Sequence, residues 1–360
     1  MLIGVPKETK SEEYRVGLTP EGASALIKRG HAVCIEHDAG TAIGFTDADY
    51  LQVGAKVGDA FSADLVVKVK EPSLAECARF RPGQVLFTFL HLAAAQQQAT
   101  ALLASGCRAL AYETVEDEFG SLPLLKPMSE IAGRMSIQVG ATALQNVHGG
   151  RGILLGGAAG VAPGKVAILG GGVAGSHAAQ MAVGLQANVT IVDRSLQRVG
   201  ELTAEFAGKA QVLMASKENV TSVVRSADLV VGAVLIPGAA APKLVDRRLL
   251  NQMKRGAVLV DIAIDQGGCF ASSKATTHAE PTFIDSEVVH YCVANMPGGV
   301  ARTATEALCR VTLSYILSIA DQGLDQAMAT DPGLARGLNV DNGRLVHPVV
   351  AAAVAQSVAA

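Results

Sequence analysis

The chain lacks any cluster of basic residues. Its 30 lysines and arginines are outnumbered by 33 aspartates and glutamates, which gives a formal net charge of −3 over 360 residues. Proteins that bind nucleic acid or anionic membranes through charge present a basic patch or stripe. The composition therefore gives no electrostatic support for a nucleic acid or membrane partner.

An uninterrupted apolar span is also absent, although the mean hydropathy of +0.32 is high. The most apolar window covers 166–187, and it contains three consecutive glycines as well as Ser176, His177 and Gln180. A membrane helix needs about 20 consecutive, predominantly apolar residues. We therefore expect no transmembrane segment.

The six cysteines show neither a C-x-x-C motif nor a metal-like pairing with histidine. Scattered cysteines of this kind are typical of buried thiols in a reducing compartment. The opening stretch, Met1–Glu8, lacks the basic segment and longer apolar segment of a secretory signal. These observations predict a cytoplasmic protein without a metal site.

A glycine-rich turn stands between two apolar, β-branched runs in the middle of the chain. Gly170, Gly172 and Gly175 occupy the glycine positions of a G-x-G-x-x-G fingerprint. These glycines permit a sharp turn, close approach of the backbone to a pyrophosphate, and packing of helix on strand. A helix opening at about Val173 would offer its unpaired N–H groups to the phosphates. The pattern predicts a dinucleotide site.

The choice of dinucleotide depends on the end of the second apolar run. Asp193 follows the last fingerprint glycine by 18 residues, near the spacing of the acid that binds the adenosine ribose. A carboxylate at this place repels the 2′-phosphate of NADP, whereas the adjacent Arg194 could pair with it. We predict NAD as the cofactor.

Short apolar runs alternate with helical stretches along most of the chain, as in parallel sheets with crossover helices. The chain is also longer than the chain length that a single hydrophobic core usually supports, so two domains are expected. The predicted fold class is α/β, with two Rossmann-like doubly wound domains. A dinucleotide-binding domain, 125–301, is inserted into a discontinuous substrate domain, 1–124 and 302–360.

The main predicted elements follow from the same patterns. The predicted strands include 2–5, 32–36, 65–69, 85–90, 229–235 and 257–261. The predicted helices include 20–29, 128–147 and 303–322. After the last of these helices, the chain is expected to end in a tail rich in alanine and valine.

Polar side chains stand at the ends of several apolar runs, where ligands of open α/β sheets bind. They are Arg15, Lys70, His91 and Asp265. Each has a simpler explanation: a surface charge for the arginine and the lysine, a core histidine for His91, and a structural ion pair for Asp265. Lys68 shares a face of the predicted strand with Lys70, so the pattern does not choose between these lysines.

Several longer motifs resemble those of the alanine dehydrogenase family. The matching motifs are Val5-Pro-Lys-Glu, Arg15-Val, Leu18-Thr-Pro, Lys68-Val-Lys-Glu-Pro72, Phe87-Thr-Phe-Leu-His-Leu92, Tyr112-Glu-Thr114, Pro127-Met-Ser-Glu-Ile-Ala-Gly-Arg134, Val260-Asp-Ile-Ala-Ile-Asp-Gln-Gly-Gly-Cys269 and Val293-Ala-Asn-Met-Pro297. The resemblance covers nearly the full length and weakens after about Gly333. Gly171 departs from the family, which usually has a non-glycine residue there.

The resemblance implies roles for individual residues. Arg15 and Lys70 match the residues that hold the substrate carboxylate, and His91 and Asp265 match the catalytic pair that acts at the α-carbon. The cofactor-binding residues implied by the fingerprint and the resemblance are Ser129, Gly170, Gly172, Val173, Ala174, Gly175, Asp193, Arg198, Val234, Leu235, Ile262, Asp265, Val293, Asn295 and Met296.

The resemblance also implies the activity, an NAD-dependent interconversion of L-alanine with pyruvate and ammonia, and a homohexamer as the assembly. Three alternatives stay open: the nucleotide-binding subunit of a proton-translocating transhydrogenase, a lysine-forming saccharopine dehydrogenase, and a nucleotide-sensing protein with idle catalytic groups. His91 together with Lys70 argues against the transhydrogenase, because hydride exchange between nucleotides needs no acid or base at a substrate amine.

Overall fold

The computed structural model describes residues 1–234 and 241–359. Leu235, one of the predicted cofactor residues, lies outside the described residues. The strands are β1 (Leu2–Val5), β2 (Ala32–Ile35), β3 (Lys56–Val57), β4 (Leu65–Val67), β5 (Val85–Thr88), β6 (Arg108–Ala111), β7 (Lys165–Leu169), β8 (Asn188–Asp193), β9 (Gln211–Met214), β10 (Leu229–Gly232), β11 (Val258–Asp261), β12 (Thr282–Asp285), β13 (Val288–Tyr291), β14 (Leu338–Asp341) and β15 (Arg344–Leu345).

The helices follow the strands in alternation over most of the chain. They are α1 (Pro20–Lys28), α2 (Asp47–Gln52), α3 (Leu74–Cys77), α4 (Gln96–Ser105), α5 (Lys126–Ala143), α6 (Val173–Gly184), α7 (Leu196–Phe206), α8 (Lys217–Ser226), α9 (Arg247–Leu250), α10 (Ala301–Gln322), α11 (Leu324–Thr330), α12 (Pro332–Arg336) and α13 (Pro348–Ala359). The chain divides into two compact units, unit 1 (Met1–Met128 with Val300–Ala360) and unit 2 (Ser129–Gly299).

Unit 1 is built on a sheet with the described order β15-β14-β6-β5-β4-β1-β2-β3. Strands β1 to β6 pair in parallel, and β14 and β15 add an antiparallel edge. Strands β4 and β5 are buried along their whole length, as expected of parallel strands covered on both faces. The carboxyl ends of these strands therefore meet at one edge of the sheet.

Unit 2 is built on a sheet with the described order β12-β13-β11-β10-β7-β8-β9. Every pair is parallel except β12 with β13. The chain reverses direction across the sheet between β7 and β10, which is the crevice where doubly wound domains bind dinucleotides. The predicted fold class, α/β with two parallel-dominated Rossmann-like sheets, is confirmed.

Several predicted strands were too long at their carboxyl ends. Strand β4 ends at Val67 rather than at residue 69, so Lys68 and Lys70 follow the strand instead of sharing one of its faces. Strand β11 ends at Asp261, as predicted. Asp265, which the sequence places within a strand-like segment, instead belongs to a 3-10 turn, Ile264–Gln266. The Asp261 carboxylate accepts hydrogen bonds from Ala263 N and Cys269 N, which turns the chain out of the sheet.

The carboxyl-terminal tail was also predicted incompletely. Strands β14 and β15 form a hairpin that returns to the sheet of unit 1, where β14 pairs with β6. Among the described residues, no helix combines the length and the apolar character that crossing a membrane requires. All six cysteines are buried free thiols, as predicted.

Candidate functional site

In unit 1, the structure distinguishes the two lysines that follow β4. Lys68 is fully buried, and its Nζ lies 3.1 Å from Glu8 Oε2 and 2.9 Å from Glu76 Oε1. Burial opposes its charge, but the two carboxylates outweigh this and raise the pKa of Lys68. Lys70 is half-buried. Lys68 is therefore part of a buried ion cluster, whereas the side chain of Lys70 is partly open to solvent.

Glu8 connects this ion cluster to the backbone of Lys70. Its Oε1 accepts hydrogen bonds from Val69 N at 2.7 Å and from Lys70 N at 3.2 Å. Burial raises the pKa of Glu8 against the opposing charge of Lys68. On its other side, the carbonyl of Lys70 accepts a bond from Thr88 Oγ1 at 3.0 Å. The segment that presents Lys70 is thus held by its neighbours on both sides.

Arg15 is 2% exposed, so it is not a surface charge. Its Nε and Nη2 donate to the two carboxylate oxygens of Glu13 at 2.6 and 2.5 Å. Its Nη1 contacts Met128 Sδ at 3.3 Å. A thioether sulfur is a weak acceptor.

His91 is not a core histidine, because its side chain is 47% exposed. It follows β5 in the left-handed backbone region, at φ 49° and ψ 33°. Its ring is parallel to the ring of Phe89 at 5.7 Å, with an interplanar angle of 2°. Glu113, which follows β6, accepts a hydrogen bond from His91 N at 2.6 Å. The imidazole is thus supported on one face and open to solvent.

In unit 2, the fingerprint forms a tight turn between β7 and α6. Gly170 has a φ of +100°, and a Cβ added to it would lie 2.7 Å from Ala233 O. A Cβ on Gly175 would lie 1.8 Å from Gly170 O, so no side chain fits there. A Cβ on Gly172, in contrast, would meet no atom within 4 Å. The turn leaves open space at the glycine whose backbone is expected to approach the pyrophosphate.

Asp193 lies at the end of β8, beside this turn. Its Oδ2 accepts from Gly171 N at 2.6 Å, and its Oδ1 accepts from Ser195 N at 2.8 Å. Arg198 joins the same arrangement, because its Nε donates to Gly171 O at 2.7 Å. A carboxylate offers about four lone-pair sites. Asp193 therefore keeps acceptor capacity for ribose hydroxyls after these two bonds.

Other predicted cofactor residues surround the start of α6. Val173 is exposed and Ala174 half-buried in its first turn. A Cβ on Gly133 of α5 would lie 2.1 Å from Ala174 O, so α5 packs closely on α6 one turn after Ser129. Val234 lies beside Gly170, with its Cγ2 3.0 Å from the position of an added Cβ.

The remaining predicted residues follow β11 and β13. Ile262 N donates to Gly232 O at 2.9 Å, which places it next to the end of β10. Asp265 is exposed in its 3-10 turn. Asn295 has a left-handed φ of 63°, whereas Val293 and Met296 are buried.

Four carboxylates that the sequence did not identify hold the predicted residues. Glu8 accepts a hydrogen bond from Lys70 N, and Glu113 accepts one from His91 N. Glu13 accepts hydrogen bonds from the side chain of Arg15. Asp261 accepts one from Ala263 N, two residues before Asp265. Burial raises the pKa of Asp261, while bonds from Ser273 and Cys269 oppose the shift. The sequence signal for three of these carboxylates is that Glu8, Glu113 and Asp261 fall within motifs of the resemblance, whereas Glu13 falls within none of them.

Family models match nearly the whole chain. The model for the N-terminal domain of alanine dehydrogenase/PNT matches residues 4–132, and the model for the C-terminal domain matches residues 136–348. The chain belongs to the alanine dehydrogenase/PNT family. Its fold and fingerprint therefore imply a nicotinamide dinucleotide as cofactor, and the turn at Gly172 and Asp193 fits one.

Curated relatives of this family cover almost the full length. Alanine dehydrogenase from Halomonas elongata is 51% identical over 358 residues, which cover 98% of this chain and 96% of the relative. Alanine dehydrogenases from Mycobacterium tuberculosis and Geobacillus stearothermophilus are each 50% identical, with the same two coverages. The similarity is therefore not confined to the dinucleotide fingerprint.

Solved structures of the family agree with the fold. An L-alanine dehydrogenase matches with a TM-score of 0.95 and 50% identity, covering 99% of both chains. A transhydrogenase from Sinorhizobium meliloti matches with a TM-score of 0.85 and 25% identity, covering 96% of this chain and 100% of the transhydrogenase. Both branches of the family thus share this architecture.

Proposed function

We propose that this protein is an NAD-dependent L-alanine dehydrogenase, which converts L-alanine, water and NAD+ to pyruvate, ammonium, NADH and a proton, and which also runs in reverse. The observation that carries the proposal is the full-length similarity to curated alanine dehydrogenases at about half identity. In support of it, the exposed His91 follows β5, the strand that pairs with the β4 strand leading to Lys70. The proposed substrate domain is unit 1, and the proposed NAD-binding domain is unit 2.

Arg15 and Lys70 would bind the substrate carboxylate through charge-assisted hydrogen bonds, which fix the orientation of Cα. When bound, NAD supplies the acceptor for the hydride that leaves Cα. Water adds to the resulting imine carbon of the substrate, and loss of ammonia from the carbinolamine gives pyruvate. Each of these steps moves a proton at nitrogen or oxygen, so a positioned acid/base is required.

His91 would move these protons, because an imidazole can both accept and donate a proton and this imidazole is open to solvent. Asp265 would orient the attacking water, or ammonia in reverse, and balance the positive charge of the iminium. In unit 2, the fingerprint glycines and the N-terminus of α6 would hold the pyrophosphate. Asp193 would accept hydrogen bonds from the ribose hydroxyls and would favour NAD over NADP.

The protein is also proposed to act in the cytoplasm as a homohexamer. The apolar segments 303–320 and 347–360 are candidates for subunit contacts. Light scattering at micromolar concentration would measure the mass directly. A monomer would contradict the proposed assembly without affecting the proposed reaction.

A spectrophotometric screen of amino acids with NAD at alkaline pH tests the activity. NADH should accumulate steadily with L-alanine, and failure of every small L-amino acid would contradict the proposal. Hydride exchange between nucleotides without any amino acid would instead indicate a transhydrogenase. Strong activity on saccharopine would indicate a saccharopine dehydrogenase. Binding of NADH without turnover would indicate a nucleotide-sensing protein.

The His91→Asn variant tests the catalytic assignment. Asparagine is one of the few residues that tolerates the left-handed backbone of this position, so the turn should persist. Loss of the acid/base should lower kcat by about 10²–10⁴-fold while NADH affinity stays the same, because the fingerprint lies in the other unit. Near-normal turnover would remove His91 from the mechanism.

A further inference from the structure

Glu113 binds the turn that carries His91. It lies in a short 3-10 turn, Tyr112–Thr114, directly after β6, and its side chain is 16% exposed. Strand β6 is the parallel neighbour of β5, which leads into His91. The carboxylate therefore faces the end of the adjacent strand, where Leu90 and His91 leave the sheet.

The backbone of this turn needs such a partner. His91 has left-handed φ and ψ values, which cost free energy for any residue with a side chain and persist only where the surroundings impose them. Glu113 Oε1 accepts from His91 N at 2.6 Å, and both of its oxygens accept from Leu90 N at 3.2 Å. Two consecutive N–H groups thus point at one carboxylate.

The carboxylate acts on the backbone of His91 rather than on its ring. The distance from Glu113 Oε1 to His91 Nδ1 is 3.8 Å, which is too long for a hydrogen bond. The ring is supported elsewhere, by the parallel ring of Phe89. Phe89 in turn packs edge-on against Tyr112 at 5.0 Å and 89°. Backbone and ring are therefore both fixed from the segment that contains Glu113.

We propose that Glu113 is a positioning residue for the reaction: by accepting the Leu90 and His91 N–H groups, it holds the left-handed turn that directs the imidazole over Phe89 toward the substrate. This inference rests on the proposed role of His91 as acid/base. Glu113 itself transfers no proton and binds no substrate. Removing Glu113 should lower kcat, because a misplaced imidazole stabilises the transition state less well. The binding of the substrate carboxylate should change little, because it does not involve the imidazole.

Three variants separate this role from general stabilisation. Glu113→Ala removes both acceptors, and a misplacement of about 1 Å should lower kcat roughly 10²-fold. Glu113→Gln keeps an oxygen at the Oε1 position, which accepts from both N–H groups, so it should retain most of kcat. Glu116→Ala is the matched control, since it removes a carboxylate of the same segment that pairs with Arg336 at 2.8 Å on the surface.

The expected result is a loss of kcat in Glu113→Ala alone, with the KM for L-alanine and the affinity for NADH close to those of the unchanged enzyme. An equal loss in the glutamine variant would overturn the proposal, because charge rather than the hydrogen-bond clamp would then matter. Unchanged kcat in the alanine variant would overturn it as well.

A double-mutant cycle with His91→Asn completes the test. If Glu113 acts through His91, then Glu113→Ala should lower kcat little further in the His91→Asn background. The same fold-loss in both backgrounds would show a role independent of His91. The failure of the proposed reaction has a different signature, in which the unchanged enzyme fails to oxidise L-alanine or His91→Asn retains full turnover.

Discussion

Lys68 and Lys70 show how far two identical residue types can differ two positions apart. Lys68 is enclosed between Glu8 and Glu76, with no exposed side-chain surface, whereas Lys70 is half-buried at the end of the same segment. The sequence could not separate them, because the partners of Lys68 come from elsewhere in the chain. Substitution of Lys68 should therefore affect the stability of the protein, whereas substitution of Lys70 should affect its activity.

Lys68→Met should destabilise the protein, because it leaves two carboxylates buried without their cation, at a cost of about 3–5 kcal/mol. Lys70→Met is the matched variant. It should leave the free energy of unfolding nearly unchanged and lower kcat/KM for L-alanine. Urea unfolding and steady-state kinetics on both variants check the contrast. Equal stability of the two proteins would contradict the structural role of Lys68.

Asp193 should determine the preference for NAD. Asp193→Asn removes the negative charge but keeps an oxygen that can accept from Gly171 N, so the turn should survive. The ratio of kcat/KM for NADP to that for NAD should rise roughly tenfold, about 1.4 kcal/mol of discrimination. Arg194→Ala serves as the control for pairing with the 2′-phosphate. Equal efficiency with both dinucleotides in the unchanged enzyme would contradict the assignment.

At the scale of elements, the turn between β7 and α6 contains two glycines with different reasons to be glycine. Gly175→Ala should disrupt the turn, because its Cβ would lie 1.8 Å from a backbone oxygen. Gly172→Ala should fold normally, since φ is −66° and no protein atom lies near the added Cβ. Its affinity for NADH should nevertheless fall, because the methyl group would occupy the space of the pyrophosphate. Thermal unfolding and NADH titration of both variants measure the difference.

The elements that sequence patterns predicted well are those with local causes. Strand β7, its turn and α6 follow from a β-branched run, fixed glycine positions and an alanine-rich helix. Strand β14 was missed, because its Leu338-Asn-Val-Asp sequence has little strand character and is paired by β6 from a distant part of the chain. The turn of Asp265 was missed because it depends on hydrogen bonds to the buried Asp261 carboxylate.

Strand β13 should make the stability of unit 2 depend on pH. His290 is fully buried, its Nδ1–H donates to Val288 O, and its Nε2 accepts from Ser272 Oγ. Burial lowers the pKa of His290, whereas the pKa of a histidine in an unfolded chain is about 6.5. The unfolded chain thus binds this proton at higher pH than the folded chain. The contribution to stability is complete above about pH 6.5 and declines as the pH falls toward the folded pKa.

His290→Gln tests this dependence, because the amide can still donate and accept but does not titrate. Unfolding free energies measured between about pH 7.5 and about pH 5.5 should fall less steeply in the variant than in the unchanged protein. Identical slopes would show that His290 does not contribute to the acid sensitivity.

At the scale of the whole molecule, the arrangement of the chain differs between the two units. Unit 2 consists of one continuous segment, whereas unit 1 combines the first and last parts of the chain. The division into two α/β units could be anticipated from length and alternation. The pairing of β14 with β6 in the sheet of unit 1 could not be anticipated. These strands are more than two hundred residues apart in the chain, so their pairing leaves no local sequence pattern.

The pairing of β14 with β6 has a consequence for biosynthesis. A ribosome completes the whole of unit 2 before it has made the strand that finishes the sheet of unit 1, so the nascent chain carries β6 with an unprotected side. Unpaired strand edges recruit strands of other chains, and long-range pairing forms slowly. A product that stops at Gly299 should therefore form large particles in light scattering under conditions where the full-length product does not. Equal behaviour of the two would mean that β6 is shielded before translation ends.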